Sequence, residues 1–85
     1  MMVLHPIKVE CYAGHTADER PLRFTREGVT IEVAEIVDRW YEGGADPRRP
    51  RADYFKVLGD DGMTYLLRHG HKADAWFQVE RGDRP

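Results

Sequence analysis

Apolar residues recur at every second position in a series of short runs, and this period-2 pattern constrains the chain more than any other feature. Side chains in a strand alternate between two faces, so Ile7, Val9 and Cys11 set among Lys8, Glu10 and Tyr12 bury one face and solvate the other. The alternation returns at Leu22 and Phe24, at Val29, Ile31 and Val33, at Phe55 and Val57, at Met63, Tyr65 and Leu67, and at Ala75, Phe77 and Val79. Turn residues divide these runs. Arg26-Glu27-Gly28 predicts a tight hairpin with glycine at positive φ, Gly59-Asp60-Asp61-Gly62 is the clearest turn, and His69-Gly70-His71-Lys72 is another. Residues 13–20 are polar and predict a loop, as do 42–51, which hold Gly43, Gly44, Pro47 and Pro50.

The stretch from Val33 to Tyr41 is ambiguous. Val33, Ile36, Val37, Trp40 and Tyr41 fall at helical spacing, yet β-branched Val29, Thr30, Ile31 and Val33 make a poor helical start. A strand here needs one extra residue near Ala34-Glu35 to bring Ile36 and Trp40 onto the buried face. Such a β-bulge bends strands at barrel corners, and a long bent strand is favoured over the helix.

Eighty-five residues make one domain, 1–85, with an ordered core over about 5–80 and a charged tail at 81–85. An open six-stranded sheet would leave an apolar face that nothing else in the chain could cover. The expected fold is therefore all-β, a small antiparallel barrel or roll of five to six strands, SH3-like first and OB-like second. Its interior should hold Ile7, Val9, Leu22, Phe24, Val29, Ile31, Val33, Phe55, Val57, Tyr65, Leu67, Phe77 and Val79.

Composition limits function. Thirteen Lys and Arg against fifteen Asp and Glu leave a net charge of −2, so the chain is not basic overall. No apolar run approaches the ~20 residues that span a bilayer, so no membrane partner is expected. Nothing near Met1 resembles a signal peptide, which predicts a cytoplasmic protein with Cys11 as a free thiol. A single cysteine excludes a disulfide framework and a four-cysteine zinc site, and the lack of any serine excludes a Ser-His-Asp triad. His5, His15, His69 and His71 show no ligand spacing, so no metal and no cofactor are expected; a small metal-dependent protein or enzyme using these histidines is the alternative. Asp18-Glu19 and Asp60-Asp61 read as solvated loop carboxylates. Catalysis is not expected.

The most suggestive segment is Pro47-Arg48-Arg49-Pro50-Arg51, preceded by Trp40-Tyr41 and followed by Tyr54-Phe55-Lys56. Arginines pair with phosphates, and aromatic rings on a β-surface stack on unpaired bases. Arg48, Arg49, Arg51, Trp40, Tyr41 and Tyr54 are thus the candidate contact residues for a protein or a single-stranded nucleic acid. A solvated loop whose arginines balance Glu42, Asp46 and Asp53 is the plainer alternative. A third is a structural subunit that pairs through a strand edge, with the oligomeric state open.

Leu22-Arg23-Phe24, the stretch from Val33 to Trp40, Asp53-Tyr54-Phe55-Lys56-Val57, and Gly62-Met63-Thr64-Tyr65-Leu66-Leu67 followed by Trp76 together carry a resemblance. Over roughly residues 7–79 the chain resembles a small bacterial β-domain family of unknown function. Its members stand alone or form the C-terminal piece of polymerase-like proteins of the translesion mutagenesis type. The resemblance implies an interaction module connected with bacterial DNA metabolism and supplies no catalytic residues.

Overall fold

The alternating runs become six strands: β1 (Met2–Cys11), β2 (Pro21–Arg26), β3 (Val29–Glu42), β4 (Ala52–Gly59), β5 (Thr64–Gly70) and β6 (Ala75–Arg81). The computed structural model describes residues 2–11, 20–43, 48, 51–72 and 74–81, and all of its regular elements are strands. Each strand pairs antiparallel with its sequence neighbours, and β1 closes on β6 to complete a barrel. This is the small antiparallel barrel that the alternation demands. The fully sequential order lacks the Greek-key crossing of an OB-fold.

Two strands serve both halves of the barrel. Met2 to Ile7 of β1 pair with β6, and Lys8 to Cys11 pair with β2. Val29 to Glu32 of β3 pair with β2, and Val33 to Glu42 pair with β4. The 14-residue β3 is therefore extended from end to end, and the helical alternative falls. Its register against β4 slips between Val33 and Glu35, at the expected bulge, and again between Ile36 and Asp38. β1 begins earlier than the alternation alone shows. Pro6 falls in the half of β1 that, among the described residues, pairs with β6 alone, the edge setting in which proline is tolerated in sheets.

The β2–β3 hairpin turns on Glu27 (φ 51°) and Gly28 (φ 81°), the two positive values of a type I′ turn. Gly62 (φ 82°) closes the β4–β5 turn, where Gly59 N–H donates to Met63 O at 2.8 Å. Asp60 N–H donates to Glu32 O at 2.9 Å and ties that turn to β3.

Phe24, Phe55, Val57 and Leu67 fill the barrel, with Ile7, Val9, Ile31, Val33, Ile36, Tyr65 and Trp76 packed against them. The Tyr65 ring meets Phe24 edge-on, centroids 5.0 Å apart at 70°. A second apolar cluster of Ala52, Tyr54 and Val79, with Leu66, lies on the opposite face of the sheet. Four expected core positions need correction. Leu22 and Val29 are 39% and 60% exposed. Leu22 lies where the β2–β3 pairing ends at Arg23, and Val29 lies at the hairpin tip. In β6 the faces are exchanged: Leu67 sits opposite Gln78 and His69 opposite Trp76, so Trp76 and Gln78 point inward while Phe77 and Val79 lie on the outer face. Val79 is still buried, but in the second cluster.

Phe24→Ala should cost ~3–5 kcal/mol in denaturant unfolding, the range for truncating a fully buried phenylalanine. Leu22→Ala should stay well below the ~2–5 kcal/mol of a buried leucine. Equal losses at the two positions would contradict this register.

Candidate functional site

The second bulge in β3 decides which aromatic side chains reach the surface. Beyond it, Arg39 stands opposite Phe55, Trp40 opposite Tyr54 and Tyr41 opposite Asp53. Phe55 is inside, so Trp40 and Tyr54 share the outer face, and Trp40 does not enter the core as the single-bulge pattern suggested. The Trp40 and Tyr54 rings are stacked, 5.4 Å between centroids and 4° from parallel. Tyr54 is only 7% exposed and its hydroxyl donates to Glu42 Oε1 at 3.1 Å, whereas Trp40 is 42% exposed. A fixed tyrosine thus props an accessible indole. On the other side of Trp40, β3 has no strand neighbour among the described residues, so the indole borders a free edge. The two bulges break that edge, a feature that discourages strand-to-strand pairing.

Cationic side chains lie along the same face. Arg68 stands directly opposite Tyr54, and exposed Lys56 lies two residues along β4, opposite Asp38. Arg51 is exposed just before β4 and has the sequence parity of Asp53 and Phe55 rather than that of Tyr54. Arg48 is exposed; Arg49 and His15 lie outside the described residues.

Tyr41 is parted from Trp40 and faces the mouth of the barrel, 5.5 Å from His71. Two histidine–carboxylate pairs close this mouth. His71 Nε2 lies 2.8 Å from Asp53 Oδ2, and His69 Nε2 lies 2.7 Å from Asp74 Oδ1. His69 also stacks on Trp76, centroids 4.4 Å apart at 6°. The His69–Asp74 pair bridges the β5–β6 turn, in which Asp74 holds φ 48°. Arg39 covers the core beneath, its guanidinium carbon 4.9 Å from the Phe55 ring centroid. Among the described residues, no three His, Cys, Asp or Glu side chains converge to hold a metal. No helix among them is long and apolar enough to cross a membrane.

A network that the alternation did not predict occupies the other mouth. Arg26 Nη1 donates to Gln78 Oε1 at 3.1 Å and to Glu80 Oε1 at 2.8 Å, and its Nη2 donates to His5 Nδ1 at 3.2 Å. Since arginine only donates, His5 Nδ1 accepts, and Nε2–H donates to Glu80 Oε2 at 3.0 Å. Hydrogen bonds from Arg26 and then His5 hold the Glu80 carboxyl below its ordinary value of 4.5. Nearby, Tyr65 donates to Asp61 at 2.5 Å, which lowers the Asp61 carboxyl and raises the Tyr65 phenol. The available signal was the polar parity of β6, Gln78 and Glu80 on the face shared with Trp76.

No protein-family model matches the chain, and no curated protein or solved structure is significantly similar to it.

A carboxyl depressed on folding adds stability above its unfolded pKa and loses it as pH falls through the lower folded value. In an NMR titration Glu80 should therefore ionise below 4.5, and Arg26→Met should move it up toward that value. Tyr65→Phe should likewise raise Asp61 toward 3.8. The raised Tyr65 contributes stability that is present below its unfolded value of 10.0 and lost as pH rises through the higher folded one, and this contribution should vanish in Tyr65→Phe.

Proposed function

We propose that the chain is a non-enzymatic binding module whose outer sheet face holds a partner in bacterial DNA metabolism, and that the partner is a single-stranded nucleic acid. The stacked Trp40–Tyr54 pair carries this reading. An exposed indole held at fixed orientation is a stacking surface for an unpaired base, and a buried tyrosine beneath it removes the cost of ordering the platform on binding. Lys56 and Arg68 flank it with charge for the backbone, and exposed Arg51 precedes the same strand. Asp38 and Glu42 lie close by, so the net local charge is small and binding is weak and salt-sensitive.

The partner's source in mutagenic DNA synthesis rests on the family resemblance. An acidic protein surface is the alternative occupant, because it would use the same cations. The two differ in the indole: a base stacks on it, whereas an acidic patch does not require it.

A labelled single-stranded oligonucleotide titrated at low salt should bind in the sub-millimolar range. With about three phosphate contacts, the logarithm of affinity should fall against that of salt with a slope of about −2. Trp40→Ala should remove ~1–3 kcal/mol, the worth of one stacked base, and Arg51/Lys56/Arg68→Ala should flatten the slope. No binding at low salt, or full binding by Trp40→Ala, would overturn the nucleic-acid function.

A further inference from the structure

The mouth of the barrel beside the β2–β3 hairpin opens into a cavity of about 290 Å³, at the end opposite Glu42 and Ala52. Phe24, Ile31 and Tyr65 give it apolar walls, and Arg26, Gln78 and Glu80 give it a polar one. Gln78 is 8% exposed and lines this cavity. Arg26 Nη1 donates to Gln78 Oε1, which fixes the amide: the oxygen faces arginine and the NH2 group faces away from it. That nitrogen carries two donors, and neither meets an acceptor among the described residues. A donor on a cavity wall with no protein acceptor is open to an acceptor from outside.

Charge selects the class of ligand. Glu27 and Glu80 line the cavity with two carboxylates against the one guanidinium of Arg26. Arg26 is already engaged by Gln78, Glu80 and His5, so an incoming anion meets a net negative wall. Each Glu80 oxygen accepts one hydrogen bond and keeps a further lone pair for an N–H donor. The apolar walls suit a flat hydrophobic body. We propose that this cavity is a binding site for a neutral aromatic amide or lactam. Its carbonyl accepts from Gln78, its N–H donates to Glu80, and its ring packs on Phe24 and Tyr65. The site is separate from the Trp40 face and does not depend on nucleic-acid binding.

Benzamide is the probe, titrated into the whole ¹⁵N-labelled chain and followed by NMR. The expected result is a saturable shift of the Gln78 side-chain NH2 signals, accompanied by Phe24, Ile31 and Tyr65. Benzoate, matched in shape but anionic, should bind roughly tenfold more weakly or worse. Gln78→Glu retains an oxygen for Arg26 and removes both donors, and it should lose roughly tenfold in benzamide affinity. Val29→Trp fills the cavity from a rim residue that is already exposed, and it should abolish the shifts without disturbing the core. It serves as the independent variant if Gln78→Glu does not fold. An unmoved Gln78 signal, equal binding of benzoate, shifts confined to Trp40, or benzamide affinity retained by folded variants would each overturn the site.

Discussion

The barrel depends on one strand that changes register twice. β3 must lie beside β2 over its first turn of pairing and beside β4 thereafter, and a regular ladder cannot bend enough for both. The two bulges supply the bend. They also reset the pleat, so that Val33, Ile36 and Arg39 all reach the interior side although they are three residues apart. Without the first, Ile36 would leave the core; without the second, Trp40 would enter it and the stacked outer pair would not exist. Packing, surface chemistry and the proposed function thus share one cause in backbone geometry.

A barrel this small has room for one apolar layer, formed by Phe24, Phe55, Val57 and Leu67. Towards each mouth, inward positions pass from apolar to polar. At one mouth these are Asp53, His69 and His71; at the other, Arg26, Gln78 and Glu80. Half-buried polar side chains must be paired, and the histidine–carboxylate contacts and the Arg26 fork do this. In the Arg26 network the Gln78 nitrogen is left without an acceptor among the described residues, and Gln78 lines the cavity.

Strands, turns and the first bulge were legible because each rests on neighbours in sequence: alternation, Gly28 after Glu27, the Gly59–Gly62 turn, and β-branching before Ala34. The second bulge was not, since Ile36 and Val37 are both apolar and either could face inward. In β6, Trp76 competes with Phe77 and Val79 for the interior, and only pairing with Leu67 decides between the two parities. Of the candidate site, Trp40 and Tyr54 do come together, and Tyr41 lies on the other face as strand alternation requires; that Trp40 is the outward one of the two depends on the second bulge. The Arg26–Glu80 contact joins residues 54 apart in the chain, beyond the reach of any spacing rule.

The most direct test of this account is the cross-strand contact pattern between β3 and β4 in solution. With Ile36 opposite Val57, an unbroken antiparallel ladder would put Trp40 opposite Asp53, four residues on in β3 and four back in β4. A bulge between them moves Trp40 to Tyr54. Backbone nuclear Overhauser contacts should therefore join Ile36 to Val57 and Trp40 to Tyr54, with ring contacts between the latter pair on the outer face. Contacts from Trp40 to Asp53, with the indole against Phe55 and Leu67, would contradict the second bulge and the surface built on it.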